Sequence, residues 1–382
     1  MTRRDWIKAS LCAGAAFPLR LSADDSVNLR MRVPNLPLPV PATRQKGTYS
    51  VLILGDTHFD QSPETVYHAA YPGSDVSASL EATQRAEFVR NGEMWANRIP
   101  RLLAAAASAR QSDTAFAIQV GDLIQGDCNN ATVHAQMAND AFTAIKTSLG
   151  GNLPLRLVVG NHDIRNGANN GVASDYRTWM NGRMTTETGQ SISSTNFSYT
   201  QGHDLWIHVD FTSPSLSMIR SALTAHADAR YKFLVTHGPV IPSDCGNYNW
   251  ILYGRSEHTN RRTLRTLLLQ HDVIVIAGHI HTTELEEVVT DEGRITQIIA
   301  NSVWTREALA TISPTCTIPS NYGALQTTVE GRNYLAEYRP AIVRYIRSKA
   351  AGFFRLEVSD RGVLAHFFGG DSSIPMDTWR LR

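Results

Sequence analysis

Charge of either sign is sparse in this 382-residue chain: Asp, Glu, Lys and Arg make up 19% of it and cancel to a formal net charge of +1. A balance so near zero excludes the broad polyelectrolyte attraction by which basic proteins hold nucleic acid or an anionic membrane. Cysteine is scarce as well, at 4 residues, and none lies in a C-x-x-C pair, which argues against a structural zinc cluster. Setting Cys12 aside near the start leaves Cys128, Cys245 and Cys316, an odd number that allows at most one disulfide and selects no pair. No apolar run reaches the roughly 20 residues that span a bilayer, and no internal repeat is evident. What is present is 42% hydrophobic residues, ample for one large α/β domain or two medium ones. Function must therefore reside in local constellations.

The start of the chain reads as a targeting segment. Thr2-Arg3-Arg4-Asp5-Trp6-Ile7-Lys8 sets two arginines before a bulky apolar pair, and a mildly apolar, Ala- and Gly-rich stretch follows from Ala9 to Leu19. The pattern resembles a bacterial twin-arginine signal over residues 1–23. It implies the twin-arginine export machinery as a partner and an extracytoplasmic mature protein, periplasmic or secreted. Leu21-Ser22-Ala23 is an imperfect A-x-A cleavage site, because Leu21 is not small. Residues 24–47 are Pro-rich and non-periodic and read as a linker. No composition shift divides residues 48–382, although 302–347 is the least periodic part and reads as a lid or an insertion.

Short apolar runs then alternate with helical patterns. Strands are predicted at Tyr49–Leu54, Ala115–Val120, Leu155–Val159, Lys232–Val235 and Val273–Ile276, and hairpins around Gly202 and around Asp360-Arg361-Gly362. Helical spacing covers Leu80–Ala107 with a break near Pro100, Val133–Leu149 and Arg261–Gln270. Strand–helix alternation implies a largely parallel sheet flanked by helices.

Five of these strands end in polar clusters: Asp56/His58, Asp122, Asn161/His162, His237 and His279/His281. Ligands bind at the carboxyl ends of strands in open α/β sheets, and turn-forming Asp and Asn account for one such cluster but not for five. Imidazole nitrogen and carboxylate oxygen without thiolate suit Mn, Fe, Zn or Co. Residues two apart on an extended segment, as in Asp56-Thr57-His58 and His279-Ile280-His281, share a face and can reach one ion. Gly55, Gly121, Gly160, Gly238 and Gly278 beside the clusters allow sharp turns.

The ordered blocks Asp56-Thr57-His58, Gly121-Asp122, Gly160-Asn161-His162-Asp163, His237 and Gly278-His279-Ile280-His281 resemble the calcineurin-like metallophosphoesterase superfamily from about Tyr49 to Glu287. The resemblance implies an α/β fold, a β-sandwich flanked by helices with the metal site at the carboxyl ends of the strands. It implies two divalent ions, one held by Asp56, His58, Asp122 and His281 and the other by Asp122, Asn161, His237 and His279. A hydroxide between the ions would attack a phosphomonoester or phosphodiester on a small phosphorylated substrate. His162 would contact the phosphoryl group and protonate the leaving oxygen, with Asp163 orienting it.

The sequence departs from two branches of that superfamily. Gln125-Gly126 stands where protein Ser/Thr phosphatases have Asp-Arg, and Gln125 stands where purple acid phosphatases have a ligand Tyr. A non-catalytic phosphate- or nucleotide-binding protein on the same fold would lose ligands or His162, and none is lost. The H-x-H-x-D-H cluster of metallo-β-lactamase-type hydrolases is missing. Around the blocks, Tyr248 and Trp250, with Tyr253 beyond, either line the substrate pocket or pack a loop. Arg255, Arg261 and Arg262 either steer an anion or form a solvated helix face. Cys128 and Cys245 follow two of the clusters and could pair near the site.

Overall fold

The computed structural model describes residues 47–72, 77–166, 170–243, 250–254, 257–308, 312, 321–323 and 326–382. In chain order the strands are β1 (Tyr49–Leu54), β2 (Thr114–Gln119), β3 (Leu155–Leu157), β4 (Phe197–Gln201), β5 (Asp204–Val209), β6 (Lys232–Thr236), β7 (Ile274–Ala277), β8 (Thr283–Thr290), β9 (Gly293–Ile299), β10 (Ile342–Ser348), β11 (Gly352–Ser359), β12 (Gly362–Gly369) and β13 (Asp377–Arg380).

Every residue of β1, YSVLIL, is buried, as a strand covered on both faces requires. It lies parallel to β2, and β2 lies parallel to β3. Its other edge takes β11 antiparallel, so the first sheet runs β13-β12-β11-β1-β2-β3. The second sheet runs β10-β8-β9-β7-β6-β5-β4, and its neighbours β5, β6, β7 and β9 pair in parallel. The single largely parallel sheet expected from the alternation is thus two mixed sheets: antiparallel strands extend one edge of the first sheet and both edges of the second. The sandwich reading holds.

Period-2 side-chain alternation builds the layers. On β6, Phe233 and Val235 enter the core shared with Val51, Ile53 and Phe116 of the first sheet, while Leu234 faces a second core with Leu264, Leu268 and Ile219. Helices Leu216–Ala225 and His258–Gln270 cover that second core, and Ile99–Ser108 and Ala131–Ser148 cover the first sheet. Pro100 sits in the first turn of Ile99–Ser108, where its missing N–H costs nothing.

Part of 302–347, read above as a lid or an insertion, lies outside the described residues. Residues Ile342–Ser348 form β10, hydrogen-bonded to β8, and Tyr322, Tyr334, Tyr338 and Tyr345 are buried in the second core. Residues 1–46, with the signal and nearly all of the linker, lie outside the described residues, as do Cys245, Tyr248, Arg255 and Cys316. Among the described residues no helix is long and apolar enough to cross a membrane. Cys128 is a free, buried thiol, so the pairing of Cys128 with Cys245 is not formed.

Candidate metal centre

The loops that leave β1, β2 and β3 meet those that leave β6 and β7 at one end of the sandwich. Two of them are laced together directly: the N–H groups of Thr57 and His58 both donate to the Asp122 carbonyl, at 3.1 and 2.9 Å. Trp95 braces the first loop by donating its indole N–H to the Thr57 carbonyl at 2.7 Å. All seven residues proposed as ligands arrive there, and all but His279 and His281 are buried.

Two cradles result. In the first, His281 Nε2 lies 3.0 Å from Asp56 Oδ2 and 3.0 Å from His58 Nε2. In the second, His237 Nε2 lies 3.2 Å from Asp122 Oδ2, 3.2 Å from Asn161 Oδ1 and 2.9 Å from His279 Nδ1. Asp122 Oδ2 also stands 3.8 Å from His58 Nε2, which places this oxygen between the cradles. Both triads, Asp56/His58/His281 and Asp122/His237/His279, bring their ligand atoms within 4.8 Å of one another.

The backbone is bent to make this arrangement. His58, Asp122, His279 and His281 have φ of 40, 50, 72 and 54°, the left-handed region that non-glycine residues rarely enter. Each costs of order 1–3 kcal/mol and persists only where surroundings hold it. The glycines serve differently from what their positions suggest. Of the five, only Gly121 has a positive φ, +94°. Gly160 is needed for close approach, since a Cβ there would stand 2.2 Å from Asp122 Oδ1.

The donor chemistry fits cations. Burial alone would lower His237, but Asp122 and Asp56 outweigh it and push the imidazole up to about 9. A positive charge at this spot is thus demanded by the two carboxylates, and a bound cation meets the same demand. Burial would raise Asp122, but His237, His162 and His58 hold it well below the usual carboxylate range. Burial first, and neighbouring imidazoles next, push His58 and His279 well below their ordinary value, into the neutral form that coordinates metal. Among the described residues His58 Nδ1 and His279 Nε2 have no hydrogen-bond partner, and the opposite ring nitrogens point into the cradles.

His162 packs edge-on against His58, with ring centroids 4.5 Å apart. Its ring lies with His58 and Asp122 in a third group, yet both of its nitrogens are already engaged. Nδ1 is 3.0 Å from the Gln125 carbonyl and Nε2 is 3.0 Å from Arg165. Asp163, expected to orient this ring, is bonded to backbone. Its oxygens accept the backbone N–H groups of Asp122, Leu123, Ile124 and Gly160, at 2.8–3.3 Å, so it shapes the loop that carries Asp122. Burial and then the charge of Asp122 push Asp163 up to about 7.

Around the second cradle, Phe211 lies 5.0 Å and Trp250 6.1 Å from the His279 ring, centroid to centroid. Trp250 therefore borders the site, and Phe211 joins it as a residue the sequence did not single out. Arg261 is buried, donating to the carbonyls of Tyr253 and Gly254 at 3.2 and 3.1 Å, so it braces a loop. Gln125, at the position of the purple acid phosphatase tyrosine, accepts from Asn91 at 2.6 Å and donates to Glu87 at 3.3 Å, away from both cradles.

Comparison with known proteins matches a family model, calcineurin-like phosphoesterase, over residues 49–283. No curated protein matches the sequence. Among solved structures, purple acid phosphatase PPD1 from yellow lupin (Lupinus luteus) seeds superposes with a TM-score of 0.53 at 14% identity, over 88% of this chain and 54% of the lupin chain. The chain thus spans about half the length of the lupin protein. PhoD gives 0.49 at 10% identity, over 90% of this chain and 70% of the other. GAP50, the anchor in the inner membrane complex of Plasmodium, gives 0.44 at 14% identity, over 88% and 89%.

Proposed function

Because the chain belongs to the calcineurin-like phosphoesterase family, we propose that it hydrolyses a small phosphomonoester or phosphodiester at a dinuclear divalent metal centre. The observation that carries this reading is the position of Asp122 Oδ2, between His58 Nε2 at 3.8 Å and His237 Nε2 at 3.2 Å. One carboxylate oxygen shared by two nitrogen-rich cradles is the arrangement that lets two ions sit side by side.

In this reading Asp56, His58, Asp122 and His281 hold one ion, and Asp122, Asn161, His237 and His279 hold the other. Mn, Fe, Zn or Co suits the donor set. When bound, the pair supplies Lewis acidity and lowers the pKa of water toward about 7. The chain's own residues do the rest. Val120, through its carbonyl 3.0 Å from His237 Nδ1, fixes the tautomer that turns Nε2 inward. His162 sits at the rim against His58, where it meets the phosphoryl group and delivers a proton to the departing oxygen. Trp250, 6.1 Å from the His279 ring, offers an apolar wall for the organic part of the substrate. Asp163 acts through the backbone around Asp122 and not on the reacting atoms.

Assay of bis-p-nitrophenyl phosphate and p-nitrophenyl phosphate with added Mn tests the reading and separates diesterase from monoesterase. Hydrolysis of neither substrate by metal-loaded protein would sink it in favour of a phosphate-binding protein on this fold. For location, we propose export by the twin-arginine route, supported by Arg3 and Arg4 ahead of the apolar segment. Recovery of the protein from the cytoplasm with Met1 intact would count against that.

A further inference from the structure

Helix Ala78–Asn97 lies against the loops that leave the first sheet, and successive turns of it hand side chains to them. Gln84 accepts from Arg165, and Glu87 accepts from Gln125 Nε2 at 3.3 Å. Asn91 donates to Gln125 Oε1 at 2.6 Å, and Trp95 donates to the Thr57 carbonyl at 2.7 Å. Gln125 in turn offers its carbonyl to the His162 ring at 3.0 Å. Residues 84, 87, 91 and 95 recur at helical spacing, so one face of this helix flanks the metal centre.

Arg90 stands beside that face, half-buried. Its Nε donates to Asn91 Oδ1 at 3.1 Å, which ties the guanidinium to the side chain that holds Gln125. Its charge is felt at the centre: burial and the neighbouring imidazoles chiefly hold His58 neutral, and Arg90 adds to them. What Arg90 lacks is a counter-charge. Among the described residues no carboxylate pairs with it, and its two terminal nitrogens, Nη1 and Nη2, make no hydrogen bond. The arginines around it are spent. Arg85 pairs with Glu81 at 2.8 Å and Glu64 at 3.2 Å, Arg98 pairs with Glu93 at 2.5 Å, and Arg165 pairs with Asp127. A planar fork with both ends open matches two oxygens of one phosphoryl group.

We propose that Arg90 is a substrate-binding residue that takes non-bridging oxygens of the phosphoryl group and so favours phosphomonoesters, dianions near neutral pH, over phosphodiesters. This rests on the reading of the centre as a phosphoester hydrolase. A diester has one more esterified oxygen and one negative charge fewer, so it offers this guanidinium less on both counts.

The test uses metal-loaded protein at about pH 7.5, where a phosphomonoester is mainly a dianion. Wild type, R90A and R90K are assayed on p-nitrophenyl phosphate and bis-p-nitrophenyl phosphate. Binding of inorganic phosphate is followed by titration calorimetry, and metal content is measured alongside. A charge-assisted hydrogen bond corresponds to roughly 10–100-fold in affinity. R90A is therefore expected to lower kcat/KM on the monoester roughly 10–100-fold and to weaken the phosphate Kd by a similar factor, while the diester changes less than about 3-fold. R90K should recover part of the loss, because an ammonium keeps the charge but not the fork. Added salt should slow wild type on the monoester more than R90A. Metal content and Tm should hold in R90A, since the side chain braces only Asn91. An unchanged monoester kcat/KM and phosphate Kd in R90A, equal losses on the two esters, loss of metal from R90A, or a wild type that hydrolyses only the diester overturns this proposal alone. A wild type that hydrolyses neither ester overturns the reading of the centre, and this proposal with it.

Discussion

Asp122 and His162 are joined by a hydrogen bond through which the metal-side carboxylate holds the next loop: the His162 backbone N–H donates to Asp122 Oδ1 at 2.7 Å. The other oxygen, Oδ2, is left facing His237 and His58. Asp122→Asn keeps an acceptor for the N–H and removes the shared charge. Metal analysis should then find no more than one ion per chain, and kcat should fall roughly a thousandfold or more, in keeping with several kcal/mol of charge stabilisation. Two tightly held ions in D122N would contradict the bridging role.

Gly160 and Gly182 should respond in opposite directions to the same change. Gly160→Ala puts a Cβ 2.2 Å from Asp122 Oδ1 and 2.3 Å from its N, and backbone cannot step aside. About 1–3 kcal/mol of stability should be lost, with metal affinity lost alongside. A Cβ added at Gly182, inside helix Ala173–Thr188, would meet nothing within 4 Å among the described residues. Gly182→Ala should stabilise by about 0.5–1 kcal/mol. Urea midpoints of the two variants decide the matter, and a harmless G160A would mean the loop is softer than described.

Acid should unfold the protein partly through His208. Its Nδ1 is 3.0 Å from the Leu157 carbonyl and its Nε2 is 3.1 Å from the Tyr199 hydroxyl, which ties a strand of one sheet to an edge of the other. Burial lowers it to about 3, against roughly 6.5 in an unfolded chain. The unfolded state therefore binds the extra proton. Stability from this group is complete above about 6.5 and falls by up to about 1.4 kcal/mol per pH unit as the pH drops toward 3. In His208→Gln the pH dependence across that window should flatten by one proton. An unchanged slope would rule the group out.

Chelation is expected to abolish hydrolysis and lower Tm together. At a free-ion concentration a hundredfold above Kd, each ion adds about 2.7 kcal/mol to the folded state. Differential scanning fluorimetry before and after chelator, with Mn, Zn or Co restored in turn, gives the readout. Activity that survives exhaustive chelation would remove the metals from the mechanism.

The seven candidate ligands were legible because each follows a short apolar run, and a buried strand leaves few places for a polar pair except its end. Other parts were hidden by tertiary partners. β8 reads TELEEVVT, a poor strand by composition, and Glu284, Glu286 and Glu287 are all buried in it. The strand is made tolerable by two residues far away in sequence, Arg347 at 3.1 Å from Glu284 and Arg344 at 3.3 Å from Glu287, and by Gln297 of the neighbouring β9 at 3.2 Å from Glu286. The Asp291-Glu292-Gly293 turn was the local clue. Helix Ala173–Thr188 buries Tyr176, Met180 and Met184, four residues apart among Thr, Asn and Arg, with Trp179 packed beside them, and ends on Gly189 at φ 68°. Arg165, 3.0 Å from His162 Nε2, had no local signal, because its place is set by Asp127 and Gln84.

The two sheets divide the site between them. The first supplies Asp56, His58, Asp122 and Asn161, and the second supplies His237, His279 and His281. The first sheet is itself finished by β11, which lies against β1 although some three hundred residues of chain separate the two, Tyr49 pairing with Val358. A growing chain on the ribosome therefore carries only the four first-sheet residues until His237 is made, and all seven once His281 is made. It cannot complete β1's pairing until β11 emerges, and closing such distant pairs is slow. Ion capture is in this sense a late event in the life of the molecule, and it reports that strands made far apart in time have found each other.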